Sequence, residues 1–263
     1  MRRIQVSEVR MRHPIAAGQA ALRTSIRGGA MLYHAAWARN LEPQWFEPEH
    51  WEKHGAIEGS ARGRGATWFV RHGSTPLVLR HYRRGGLIAR WLGDRYWYTN
   101  AEATRPFREW SLTHWCHVRG LPVPEPVAAR YVRDGRWYRG DLLTRRIVDV
   151  ESLAQRLAAG PVSLPRWVAI GRTIGRLHAA LVCHADLNAH NILLADDERA
   201  YLVDFDRGYV ATRRGFWCDA NLVRLRRSLE KVTEPLPPGR FTDADWHSLL
   251  AGYREALPAP PSA

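Results

Sequence analysis

The run His184-Ala185-Asp186-Leu187-Asn188-Ala189-His190-Asn191, followed after two short apolar runs by Asp204-Phe205-Asp206, constrains this chain more than any other feature. The apolar runs are Ile192-Leu193-Leu194 and Tyr201-Leu202-Val203, and Asp196-Asp197-Glu198-Arg199 separates them. That pattern predicts a β-hairpin. Asp186 and Asn191 then fall on a loop leading into the hairpin, and Asp204 falls at its far end. An Asp and an Asn five residues apart, then an Asp ending an apolar strand, form the minimum polar set for deprotonating a hydroxyl and holding magnesium against a nucleotide triphosphate. Asp186 takes the place of the base, and Asn191 and Asp204 take those of the metal ligands. If these groups only capped a turn, each would need other partners, because an unpaired polar group in apolar surroundings costs about 1–3 kcal/mol.

At 263 residues the chain can bury a sizeable core. Two lobes are expected, residues 1–148 and 149–263. No run of 18 apolar residues occurs, and Met1-Arg2-Arg3-Ile4-Gln5-Val6 lacks the apolar segment of a signal peptide, so a cytosolic protein is expected. Cys116, Cys183 and Cys218 are scattered with no C-x-x-C pair, which argues against a disulfide framework or a zinc site. The net charge of +13 implies an anionic partner, whether nucleotide, nucleic acid, anionic lipid or acidic sugar, and charge alone does not choose among them. Nearly all the positive charge is arginine, since Lys53 and Lys231 are the only lysines.

Residues 1 to about 50 show little periodicity and many aromatics, among them Tyr33, Trp37, Trp45 and Phe46, and are expected to be an irregular covering segment. Gly59 to Phe69 reads as a glycine-rich turn between two strands, where Gly63 and Gly65 would let backbone N–H groups approach phosphates. An Arg/Gly-rich surface loop would look the same. Leu77-Val78-Leu79-Arg80-His81-Tyr82 is a strand candidate on which Arg80 falls where a V-A-I-K strand carries its lysine. A guanidinium can clamp phosphate oxygens bidentately, so the replacement is chemically sound; Arg83 and Arg84 compete for the role. Glu102 to His117 has helical spacing, and Glu109 is the chosen partner for Arg80, with Glu102 as the alternative. Leu121 to Pro126 reads as a rigid extended connection. Leu142 to Val148 reads as a strand leading to a hinge near Asp149, and the backbone of Arg146 to Val148 is placed to meet an adenine ring.

Beyond the hinge, Ser152 to Ala159 reads as a helix. Pro165 opens a longer one whose stripe Trp167, Ile170, Ile174, Leu177 and Leu181 is core. His178 beside that stripe reads as structural, and His184 as a buttress of the loop. Asn221 to Leu229 reads as a basic amphipathic helix with Leu222, Leu225 and Leu229 on one face; a core helix with a solvated basic face is favoured over lipid contact. Only 57 residues follow Asp206, too few for the segment with which protein kinases bind peptides, so a peptide acceptor is not expected. The order of the motifs predicts an α+β, protein-kinase-like two-lobed fold, with an antiparallel-sheet N-lobe and a compact, mainly helical C-lobe.

The block V-L-R-H-Y-R-R-G-G-L at 78–87, Leu121-Pro122-Val123-Pro124, His184 to Asn191 and Asp204-Phe205-Asp206-Arg207-Gly208 closely resemble the 3-deoxy-D-manno-octulosonic acid (Kdo) kinases of the lipopolysaccharide core kinase family. The resemblance covers most of the chain. It implies ATP and Mg2+ as cofactors and phosphorylation of the Kdo 4-hydroxyl in Kdo-lipid A or a related lipopolysaccharide precursor. It also implies a peripheral position on the anionic cytoplasmic face of a Gram-negative inner membrane. An arginine-rich protein suits so anionic an acceptor. A related small-molecule or heptose kinase of the same fold, or a non-catalytic nucleotide-binding scaffold, is the competing reading; no nucleic-acid motif occurs, and no protein partner is inferred. Two departures from the protein kinase pattern stand out. Asn188 occupies the place of a lysine near the moving phosphate, where Arg207 or His190 are candidates to compensate. Asp206 replaces the glycine after Asp-Phe, which predicts no activating flip of the triplet.

Overall fold

The computed structural model describes residues 21–62, 66–83 and 93–258. They form an α+β structure that divides into two compact units between Asp149 and Val150. In the first unit, chain order runs β1 (Ala21–Ile26), β2 (Gly29–His34), α1 (Pro48–Lys53), β3 (Ile57–Arg62), β4 (Ala66–His72), β5 (Thr75–His81), β6 (Tyr96–Trp97), α2 (Arg105–His117), β7 (Pro126–Asp134) and β8 (Trp137–Arg145). The strands make one antiparallel sheet in the order β1-β2-β7-β8-β5-β4-β3, with β6 also pairing β8.

Side chains on a strand alternate between faces, so each strand feeds two cores. Leu77 and Leu79 of β5 join Met31, Val70, Ala128 and Leu143 beneath Trp45, Phe46 and Trp51. Tyr82, just past β5, joins Ala30, Leu32, Ala129, Tyr131 and Leu142 against Phe107 and Trp110 of α2. The irregular segment expected over the first fifty residues is corrected in part. Ala21–His34 is a regular hairpin paired to β7, because Ala30-Met31-Leu32 is buried on both faces and shows no alternation to read. Trp45, Phe46 and Trp51 do cover the sheet. The strand expected at 142–148 instead spans Trp137–Arg145, and its partner β7 was not anticipated.

The second unit comprises β9 (Val150–Ser152), α3 (Leu153–Ala159), α4 (Leu164–Ala179), β10 (Val182–Cys183), β11 (Ile192–Ala195), β12 (Ala200–Leu202), β13 (Tyr209–Val210), α5 (Phe216–Thr233) and α6 (Asp243–Glu255). Ser152 caps α3 with a reciprocal capping box to Gln155, satisfying two N–H groups at the helix start. Pro165 lies in the first turn of α4, where its missing N–H costs nothing. Trp167, Ile170, Ile174 and Leu177 are buried as a stripe, but Leu181 lies beyond the helix in a left-handed turn at φ +62°. Helices α4 and α6 meet at glycine: a Cβ on Gly171 would lie 1.9 Å from the Leu249 carbonyl oxygen, and one on Gly252 2.0 Å from that of Val168. The hairpin expected after Asn191 is β11–β12, in register Leu193 with Tyr201, and β9 adds a third strand.

Candidate active site

The loop Cys183–Asn191 is fixed from several sides by its own polar groups. His184 is buried; its Nδ1 accepts the Asp186 N–H at 3.3 Å, so its Nε2–H donates to the Val203 carbonyl at 2.9 Å. Burial lowers the His184 pKa despite the opposing hydrogen bond to Val203, in keeping with that neutral tautomer. Phe205, fully buried, packs its ring 4.7 Å from that of His184. The expected buttress role of His184 is therefore what the geometry shows. It ties the loop to the strand end that carries Asp204.

The Asp186 carbonyl accepts from the side-chain amides of Asn188 and Asn191, each at 2.9 Å. With its amide nitrogen used there, Asn191 has its oxygen to offer a cation. The Asn191 carbonyl accepts the Val203 N–H at 3.0 Å, so Asp204 follows directly on a residue bonded to Asn191. Asp204 itself is left-handed at φ +64°, as is Arg207 at +66°, whereas Asp206 is not. Such a conformation at a non-glycine residue costs about 1–3 kcal/mol and concentrates at functional sites. Among the described residues no group of three or more His, Cys, Asp and Glu could enclose a metal. One carboxylate and one amide instead fit Mg2+, which takes few protein ligands and fills its shell with phosphate oxygens and water.

Asp186 itself is more than half exposed, and its Oδ1 lies 3.2 Å from Arg224 Nη1. Arg224 belongs to α5, which reaches the loop at two further points. Asn221 Oδ1 accepts the His184 N–H at 3.3 Å, and Ser228 Oγ accepts the Ala189 N–H at 3.1 Å. Asn221 also bonds His178 Nε2 at 3.3 Å, while His178 Nδ1 meets the Tyr253 hydroxyl at 3.0 Å. Burial lowers the His178 pKa to about 4, so the ring is neutral and structural, as expected. Asn221, Arg224 and Ser228 fall on one helix face by their i, i+3, i+7 spacing. Sequence reasoning missed all three; a polar Asn beside the buried leucine stripe was the available signal.

In the first unit, Arg80 pairs with Glu109 of α2, and Tyr82 donates its hydroxyl to the same carboxylate. Arg80 Nη2 is also 3.1 Å from the Tyr82 hydroxyl. Glu109 is buried and Arg80 mostly so. The alternative partner, Glu102, is exposed and pairs with Arg23 at 2.8 Å. Arg83 is exposed; Gly63, Gly65 and Arg84 lie outside the described residues. In the segment proposed to meet adenine, the Arg146 N–H is committed to the Pro76 carbonyl at 3.0 Å, which leaves Ile147 and Val148 for that role.

Comparison with known proteins places this geometry in a family. The lipopolysaccharide kinase (Kdo/WaaP) family model matches residues 48–253. A protein of Vibrio cholerae named 3-deoxy-D-manno-octulosonic acid kinase is 43% identical over 188 residues, 72% of this chain and 80% of that protein. Proteins of the same name from Vibrio vulnificus and Stenotrophomonas maltophilia are 39% and 42% identical, covering 85% and 78% of this chain and 94% and 81% of their own lengths. With the match running through Arg80, Glu109 and the whole Asp186–Asp204 segment, the chain belongs to the lipopolysaccharide kinase (Kdo/WaaP) family.

Proposed function

We propose that this protein is an ATP-dependent kinase with a protein-kinase-like two-lobed fold, which phosphorylates the 4-hydroxyl of Kdo in the lipopolysaccharide inner core. The acceptor is Kdo-lipid A or a related precursor, met at the cytoplasmic face of a Gram-negative inner membrane. The observation that carries the reading is the Asp186 loop: an exposed carboxylate on a backbone pinned by His184, Asn188, Asn191 and Ser228, just beyond the short strand Val182–Cys183.

Asp186 accepts the proton of the sugar hydroxyl as its oxygen attacks the γ-phosphorus of ATP, and ADP leaves. Asn191 and Asp204 are the residues that would hold Mg2+, which when bound neutralises charge on the phosphates. Arg80, held by Glu109 and Tyr82, positions the nucleotide phosphates. Catalysis of this kind is mostly positioning, so the rigidity of these supports matters as much as their charge.

No helix of the described residues is long and apolar enough to cross a membrane. Attraction to an anionic bilayer is supported by the net charge of +13 and by Phe216, 94% exposed, just after exposed Arg213 and Arg214. The test of function is direct. Kdo-lipid A, ATP and magnesium incubated with the protein should yield a product heavier by one phosphoryl group attached at the Kdo 4-position. Phosphate transferred to another sugar in place of Kdo would overturn the acceptor assignment.

A further inference from the structure

We propose that Arg224 is the specificity-determining residue for the acceptor, binding the sugar carboxylate beside the hydroxyl that Asp186 deprotonates. The inference rests on the proposed function. Its starting point is that Arg224 meets Asp186 through one nitrogen, Nη1, at 3.2 Å, while 54% of its side chain is exposed. A guanidinium carries five N–H donors in a planar fork, so a single contact to the base leaves capacity for a second carboxylate.

Its placement is fixed independently of that contact. Asn221, three residues before it, and Ser228, four residues after it, both bond the loop backbone, at His184 and Ala189. Arg224 therefore emerges from α5 between two anchors, directly at the base. Because both members of the Arg224–Asp186 pair are exposed, the pair adds little to stability. A cation held at a catalytic carboxylate without a structural purpose calls for a ligand.

The acceptor supplies a matching group. Kdo is a sugar acid in which the carboxylate-bearing carbon and the carbon of the 4-hydroxyl are separated by a single methylene, the 3-deoxy position. When that hydroxyl points to Asp186, its carboxylate falls within the span of one guanidinium. Arg224 can then hold Asp186 with one edge and the sugar carboxylate with the other, a charge-assisted and geometrically selective contact. A neutral sugar offering the same hydroxyl lacks the second handle.

The experiment compares Kdo-lipid A with its carboxamide derivative as acceptors, for wild type, Arg224→Gln and Arg224→Lys. Wild type is expected to prefer the free acid by roughly 10- to 100-fold in kcat/KM, the range for a hydrogen bond to a charged group. Arg224→Gln should erase that preference, chiefly by raising KM for the acid, while KM for ATP and the melting temperature stay put. Arg224→Lys should restore part of it, as a point charge without the fork. A preference that survives in Arg224→Gln, or equal wild-type transfer to acid and amide, overturns the inference and leaves the kinase reading intact. A uniform fall in kcat on both acceptors also overturns it, since that is the mark of a residue that only orients Asp186. No wild-type transfer to either acceptor overturns the proposed function and this inference together.

Discussion

The ion pair of Arg80 and Glu109 shows how far single residues could be read. Spacing along the chain singled out Arg80 and preferred Glu109 over Glu102, and the geometry brings those two together while Glu102 turns to Arg23. Tyr82, which completes the cluster, was not legible, because the strand motif that picks out Arg80 assigns no partner to a tyrosine hydroxyl two positions on. Removing one member of a buried pair strands the other charge, at about 3–5 kcal/mol, whereas removing both is often near neutral. Arg80→Met should therefore lower the melting temperature sharply and weaken ATP binding. Arg80→Met with Glu109→Gln should recover most of the melting temperature but not the ATP affinity; thermal unfolding and nucleotide titration separate the two effects. His81, next along β5, makes hydrogen bonds of 2.7 Å to Asp141 and 3.0 Å to Asp94. Burial alone would lower its pKa, but the hydrogen bonds and charges of Asp141 and Asp94 outweigh burial and raise it above 6.5. A raised histidine pKa gives stability that is full below about 6.5 and lost as pH rises through the folded value. The unfolding free energy of wild type minus that of His81→Gln should thus shrink across that window; a constant difference in denaturant titrations would refute the linkage.

Elements with a one-sided pattern were legible: β5, α2, the stripe of α4, and the hairpin whose two apolar runs flank Asp196 to Arg199. Elements that owe their form to distant pairing were not. The strands β1 and β2 acquire meaning only when β7 lies beside β2, and β9 is three residues that become a strand by pairing with β11. The contact of α4 with α6 was equally hidden, since Gly171 and Gly252 reveal nothing in sequence about the carbonyls that approach them. Backbone carbonyls cannot move aside as a flexible side chain does. Gly171→Ala should therefore destabilise by about 1–3 kcal/mol or more, the range for overpacking, read as a fall in melting temperature. An unchanged melting temperature would show that the helices separate freely. Near Asp186, the leucine face of α5 was foreseen, but its basic face was read as solvated in preference to lipid contact. On that face Asn221 and Ser228 in fact hold the backbone of the Asp186 loop, and Arg224 between them reaches the Asp186 carboxylate.

At the scale of the whole molecule, chemistry was more legible than shape. The spacing of Asp186, Asn191 and Asp204 around one expected hairpin pointed to phosphoryl transfer while most of the sheet was still unplaced, because that reaction asks for few groups at set intervals. Acceptor identity came from motif variants such as Asp206 and Asn188, and the family match runs across both compact units. The arginine excess belongs to this scale as well. Vesicles containing an anionic phospholipid should bind the protein more strongly than neutral ones, with binding that weakens as salt rises, and Phe216→Ser should lower affinity at every salt concentration. Equal binding to neutral vesicles would remove the electrostatic part of that account. The central claim is that Asp186 deprotonates the Kdo hydroxyl during transfer from ATP. The most direct test is the turnover of Kdo-lipid A by wild type and Asp186→Ala, with ATP binding measured on both. The account predicts unchanged ATP binding and turnover lower by about 100- to 10,000-fold; near-normal turnover by the Asp186→Ala protein would contradict it.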